Sequence, residues 1–214
     1  KTAKEIFIPL TVGGGIRTIE DIKGILQCGA DKVSINTAAH EKPHLISKAA
    51  EIFGSSTIVV SIEAIKQSNG KYIAFTDNGR NPTGREVIDW AQETVQLGAG
   101  EIILTIVDKE GTGKGTDIEL INEVSKILKV PFIVHGGLGS INQILETSKI
   151  NSVSGVALSS VLHYELVSKL RNNQPNDFEG NTQFLKSRKL FTSVQPTTIK
   201  KIKQKLNQNN ILCR

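Results

Sequence analysis

The chain has 214 residues, of which 38% are apolar and 22% charged. That balance fits one folded domain with a full core and excludes a disordered tail. No run reaches the roughly 18 consecutive apolar residues that cross a bilayer, no secretory signal opens the chain, and two cysteines, Cys28 and Cys213, make no disulfide framework; a cytoplasmic setting is expected.

In chain order, residues 7–12 read as a short apolar strand ending in Gly13-Gly14-Gly15. Thr18 stands as an N-cap with Glu20 and Asp21 in the first turn. Ile22, Ile25 and Leu26 recur at helical spacing up to Cys28, and Gly29 sits where a C-cap belongs. Residues 32–35 make the next strand, and 43–53 the next helix, closed by Gly54. Residues 57–62 form a β-branched run expected of a strand buried on both faces. Asn69-Gly70, between Ile65 and the Tyr72-Ile73-Ala74-Phe75 run, signals a two-residue turn, so a β-hairpin is placed after Ile62. Helix 85–97, strand 101–106, helix 117–128, strand 131–134, helix 140–148 and strand 153–158 follow, leading into 162–171. Residues 172–183 are rich in Asn, Gln and Gly with little core-forming character, and 172–196 read as an inserted loop. A last helix is expected over 197–206, within a basic segment 197–214.

The net charge of +5 belongs to that tail. Residues 181–214 carry eight Lys/Arg and no acid, leaving eighteen basic against twenty-one acidic residues, net −3, in residues 1–180. A solvated lysine face explains it, and no nucleic-acid or membrane partner is expected.

Strands alternating with helices of 10–13 residues argue for a parallel sheet with helical crossovers, and six such units are visible. Pattern alone leaves a doubly wound sheet and an eight-stranded barrel both open. A repeat favours the barrel. Val12-Gly13-Gly14-Gly15-Ile16 ends one strand and His135-Gly136-Gly137-Leu138-Gly139 ends another 123 residues later. The strand after the first ends in Ser34-Ile35-Asn36-Thr37, and the strand after the second in Leu158-Ser159-Ser160, an offset of 125 from Ser34 to Ser159. Two similar halves of four units make a (βα)8 TIM barrel, a single domain over residues 1–214 of which the last six βα units are present. Its first two strands are expected upstream of Lys1, inside a longer reading frame, which fits a chain without methionine.

Glycine lets backbone N–H groups approach an anion with no Cβ in the way, and a following helix N-terminus favours negative charge. Barrels commonly hold phosphate in the loops after their last two strands. Here that device occurs twice, so a ligand with a phosphate at each end is expected.

Thr11-Val12-Gly13-Gly14-Gly15-Ile16-Arg17, Gly29-Ala30-Asp31-Lys32-Val33-Ser34-Ile35-Asn36-Thr37, Gly98-Ala99-Gly100-Glu101-Ile102-Ile103-Leu104-Thr105 and Gly111-Thr112-Gly113-Lys114-Gly115-Thr116-Asp117 resemble the cyclase subunit of imidazole glycerol phosphate synthase. The resemblance covers about residues 5–163. It implies a lyase of histidine (amino-acid) biosynthesis within a glutamine amidotransferase complex. The enzyme takes ammonia from a glutaminase subunit, as a heterodimer, and adds it to a phosphoribulosyl formimino aminoimidazole carboxamide ribotide. That substrate carries two phosphates, and the products are imidazole glycerol phosphate and aminoimidazole carboxamide ribotide.

The resemblance puts one phosphate site at Gly14, Gly15, Asn36 and Thr37, and the other at Gly111, Gly137, Ser159 and Ser160. The family's acid/base pair is an Asp on the first strand, which would lie before Lys1, and an Asp on the fifth, which falls on Glu63. Glu63 is longer by one methylene, about 1.5 Å, where acid–base work needs heavy-atom distances of ~2.6–3.2 Å. A further family acid falls on Glu110, again Glu for Asp. Lys32 and Glu101 match two members of a charged ring that admits ammonia at the N-terminal face, and Asp31 matches a glutaminase contact. His135 stands where the family carries a small residue. Neither it nor His163 has a second ligand at metal spacing, so neither metal nor cofactor is expected. Trp90 reads as helix packing. Two alternatives follow from the changed acids: an ammonia-dependent amidation protein of surface nucleotide-sugar biosynthesis, and a non-catalytic phosphate-binding activator of a glutaminase. Six units leave open sheet edges, so self-association is expected of the chain on its own.

Overall fold

The computed structural model describes residues 2–170 and 193–213. The expected loop 172–183 lies outside the described residues. The strands are β1 (Thr11–Gly13), β2 (Lys32–Ile35), β3 (Ile58–Lys66), β4 (Tyr72–Thr76), β5 (Asn81–Glu86), β6 (Glu101–Ile106), β7 (Phe132–His135) and β8 (Val153–Ala157). The helices are α1 (Thr2–Glu5), α2 (Ile19–Gln27), α3 (Thr37–Glu41), α4 (His44–Phe53), α5 (Val87–Gln96), α6 (Ile118–Ile127), α7 (Ile141–Ser148), α8 (Ser160–Leu170) and α9 (Ile199–Asn207). None of the described helices is long and apolar enough to cross a membrane.

Six strands run parallel in the order β1-β2-β3-β6-β7-β8, with β4 and β5 antiparallel beside β3. Sequence-adjacent parallel strands that are also spatial neighbours, joined by helices, make the greater part of a (βα)8 barrel. Side chains alternate between the two faces of each strand. One parity of β2, β3, β6 and β7 (Val33, Ile35, Val60, Ile62, Ile102, Leu104, Val134) is buried with Ile22, Ile46, Trp90 and Leu120 of the helices. Each such aliphatic side chain contributes about 1.5–3 kcal/mol when fully buried. The other parity is largely polar: Lys32, Ser34, Ser61, Glu63, Glu101, Thr105 and His135. Lys32 on β2 and Glu101 on β6 lie either side of β3, and their side chains meet on the concave face. A second apolar cluster joins α7, α8 and α9 through Ile144, Leu145, Val161, Ile202 and Leu206.

Local signals acted as read at several points. The Thr18 hydroxyl accepts from Asp21 N–H while the Asp21 carboxylate accepts from Thr18 N–H, a complete capping box. Asp117 and Ser140 cap α6 and α7 in the same way at one end, and Gly29, at φ 101°, follows α2.

Four boundaries differ from expectation. The strand expected over 7–12 is Thr11–Gly13 only: Pro9 offers no N–H, Phe7 and Ile8 are 99% and 71% exposed, and among the described residues no strand lies beyond β1. Helix 85–97 begins at Val87, because residues 81–86 pair with β4 instead. The Asn69-Gly70 hairpin closes through a three-residue loop: Gln67 N–H donates to Lys71 C=O, Gly70 N–H donates to Gln67 C=O, and only Gly70 takes positive φ. Its first arm is β3 itself, which continues past Ile62 to Lys66 while pairing with both β4 and β6. Tyr72 anchors the hairpin to α6, donating at 2.8 Å to the Asp117 carboxylate, and Lys66 pairs with Glu119 at 2.9 Å.

Candidate functional site

Every parallel strand ends on the same face of the sheet, so both glycine turns open there. A cavity of about 840 Å3 is lined by Gly14, Gly15, Asn36, Thr37, Glu63 and Arg17, among others. A smaller one of about 130 Å3 is lined by Glu110, Gly111, His135, Gly137, Ser159 and Ser160. All ten residues expected at the two phosphate sites and the two acids therefore fall into two cavities, sorted as the repeat divides them.

Register connects the cavities. Glu63 on β3 stands opposite Thr105 on β6, and Thr105 opposite His135 on β7. One row of polar side chains thus runs from the larger cavity to the smaller across the strand ends. Glu63 lies inside β3 and not beyond its end. Its Oε2 accepts from Gly79 N–H at 2.7 Å, which orients the carboxylate toward the cavity. Thr105 Oγ1 lies 3.3 Å from His135 Nδ1, and Glu110 Oε1 lies 3.5 Å from the same nitrogen.

The larger cavity is held from beneath by α2 and α3. The Asp21 carboxylate accepts from the N–H groups of Arg17 and Thr18, which tethers the chain leaving Gly13-Gly14-Gly15. These bonds, Arg17 N–H foremost, hold the Asp21 carboxyl below its usual range. Asn36 lines the cavity but donates its side-chain amide to Phe75 C=O at 3.2 Å, tying β4 to this rim. On α3, His40 stacks on Trp90 with ring centroids 4.3 Å apart. Burial first, and the Arg85 charge second, lower its pKa to about 4. Trp90 is fully buried, as its packing role requires.

The opposite end of the strands carries a different group. Lys32 Nζ and Glu101 Oε2 are 2.5 Å apart, with the Glu101 side chain 9% exposed. The Asp31 carboxylate accepts from Leu10 N–H at 2.8 Å and lines a shallow cavity with Phe7, Ile8 and Pro9. The three residues expected at the ammonia entrance thus sit together, at the strand ends opposite the glycine turns.

Several lining residues escaped the sequence reading. Asp77, Asn78 and Asn81 reach the larger cavity from the β4–β5 turn, where Asp77, Asn78 and Gly79 all have positive φ. The Asn78-Gly79 pair was the available signal, identical in kind to Asn69-Gly70. Thr105 has no local signature; only register places it between Glu63 and His135.

Curled parallel strands with two glycine-lined cavities, each with a carboxylate, at their C-terminal ends define a protein of the α/β-barrel class. The family model described as "Histidine biosynthesis protein" matches residues 1–168, and the chain belongs to that family. It is similar to proteins named imidazole glycerol phosphate synthase subunit HisF: 46% identical over 168 residues to that of Streptococcus gordonii, covering 78% of this chain and 67% of the relative. The corresponding figures are 52% over 142 residues for Legionella pneumophila, covering 66% and 67%, and 42% over 174 residues for Alkaliphilus metalliredigens, covering 81% and 69%.

Proposed function

We propose that this chain carries the cyclase chemistry of histidine biosynthesis: ammonia from a glutaminase subunit is added to the bisphosphate ribotide, giving imidazole glycerol phosphate and aminoimidazole carboxamide ribotide. The observation that carries the reading is the polar row Glu63–Thr105–His135 joining two glycine-lined cavities on one face. A substrate phosphorylated at both ends spans such an arrangement, one phosphate against Gly14, Gly15 and Thr37, the other against Gly111, Gly137, Ser159 and Ser160. Its reacting centre then lies over the row.

Ammonia addition, ring closure and release of the carboxamide ribotide each move protons at nitrogen. Glu63 is the group positioned for this: Oε2 is held by Gly79 N–H, and Oε1 accepts no hydrogen bond from the described residues. A carboxylate so held acts as base toward the ammonium-bearing adduct and returns the proton to the departing amine. Glu110 is the second acid, on the smaller cavity. Ammonia enters between Lys32 and Glu101, whose pair is the charged constriction at the N-terminal ends, and Asp31 faces the glutaminase. Soluble cytoplasmic chemistry of this kind needs no cofactor. The shared name of the relatives supports the cyclase over nucleotide-sugar amidation.

The test is turnover of the bisphosphate ribotide with ammonium salts, then with glutamine and a glutaminase subunit. Product formation in both is expected. Amidation of a nucleotide sugar with no turnover of the ribotide would overturn the reading.

A further inference from the structure

Among the described residues, no lysine or arginine lines the smaller cavity. Among its lining residues His135 alone has a basic side chain, and the rest of the lining offers backbone N–H groups, two serine hydroxyls and the Glu110 carboxylate. The larger cavity, by contrast, has Arg17 on its wall. Among these lining residues an entering anion meets a positive charge only when His135 is protonated, and it meets the Glu110 carboxylate as well.

Two side chains approach the His135 ring. Nδ1 lies 3.5 Å from Glu110 Oε1 and 3.3 Å from Thr105 Oγ1. The carboxylate accepts only, so Nδ1 faces it as a donor, while the threonine hydroxyl can donate or accept. Thr105 is 8% exposed and sits in register on the neighbouring strand, so the ring is held from β6 as well. The remaining charges nearby are Asp108 and Lys109, 3.8 Å apart in the turn after β6, and Lys114, exposed in the loop beyond. From residues 136–140 and from the start of α8, no titratable side chain lines the cavity.

We infer that His135 is an anion-binding residue of the smaller cavity: beside Glu110 and Thr105, its imidazolium supplies a positive charge that the other described lining residues do not, so the affinity of the cavity for a phosphate-like dianion rises as pH falls. The inference rests on reading the cavity as a phosphate site.

Sulfate is the probe, because it keeps both charges between pH 6 and 8 while phosphate does not. Binding to the full chain is followed through the amide resonances of Gly137 and Ser160, with Gly14 and Gly15 reporting the larger cavity. A charge-assisted bond is roughly twice as strong as a neutral one, which predicts about five- to tenfold tighter binding at pH 6 than at pH 8. His135→Asn removes that dependence at Gly137 and Ser160 and leaves the response of Gly14 and Gly15 as it was. Equal sulfate affinity at both pH values, or the same pH dependence in His135→Asn, overturns the role of His135 and leaves the phosphate cradle standing. Gly137 and Ser160 resonances that ignore sulfate at every pH overturn the cradle itself.

Discussion

The two glycine turns look alike in sequence and are built differently. A Cβ placed on Gly14 or Gly15 meets nothing within 4 Å, although both residues have positive φ. A Cβ on Gly137 falls 2.2 Å from Gly115 C=O, one on Gly136 falls 2.5 Å from Ile106 C=O, and one on Gly139 falls 2.5 Å from Gly113 Cα. In the first turn a Cβ on Gly13 falls 2.9 Å from Ser34 C=O, while Gly14 and Gly15 form an open loop that uses glycine for its conformation. The second is a backbone-on-backbone interlock that uses glycine for closeness as well. Residues 193–197 tighten it further: Ser193 donates to Thr112 C=O, and Gln195 N–H to Gly139 C=O at 2.7 Å. One motif therefore serves a roomy cavity with charged walls and a small rigid one, and variants separate the two.

The largest effect is expected at Glu63, which belongs to the larger cavity alone. Glu63→Gln should lower ammonia-dependent turnover by about 10²–10⁴-fold, while sulfate still perturbs Gly137 and Ser160. Unchanged turnover would remove Glu63 from the chemistry and reduce the larger cavity to a binding site. Next come the glycines. Gly137→Ala combines backbone overlap with positive-φ strain, a loss of about 2–5 kcal/mol, whereas Gly14→Ala carries strain alone, about 1–2 kcal/mol. Urea unfolding of both variants measures the difference, and equal losses would erase the distinction drawn above.

Glu101 lies at neither turn and serves as the control. Glu101→Gln leaves Lys32 without its partner; because the Lys32 side chain is 30% exposed, the cost falls below that of a fully buried pair, about 1–2 kcal/mol. Glutamine-fed turnover should fall while ammonia-fed turnover holds. Equal falls in both would place the pair outside the ammonia route.

The smallest effect concerns His40 behind the larger cavity. Its folded-state pKa, about 4, lies below the ordinary 6.5. The folded protein thus binds fewer protons than the unfolded chain in that interval, and the stability present above pH 6.5 is lost as pH falls toward 4. His40→Phe keeps a ring on Trp90 and should flatten this part of the stability–pH curve. An unchanged slope would mean that other groups set it.

Much of the frame was legible because its signals are local. Strands 32–35 and 101–106 appear at the residues read, since β-branched runs bounded by turn residues and helix caps leave little freedom. Thr18, Asp117 and Ser140 cap their helices for the same reason. Residues 7–12 misled because apolar character alone does not make a strand: backbone N–H and C=O groups need a neighbour, and ladder pairing with β2 covers only residues 11–13. Residues 81–86 misled in the opposite sense. The run Asn-Pro-Thr-Gly-Arg-Glu has weak strand character, and pairing with β4 imposed the conformation.

Taken alone, the amino-acid order determined the βα alternation and the two glycine turns, because spacing along the chain carries those features; the division of ten site residues between the turns was what the family resemblance implied. Only the folded chain decided that Thr105 bridges Glu63 and His135, that Gly79 orients the Glu63 carboxylate, and that one glycine turn is open while the other is interlocked. Those are relations between strands and loops distant in sequence, created by register and by backbone meeting backbone, and no local propensity encodes them.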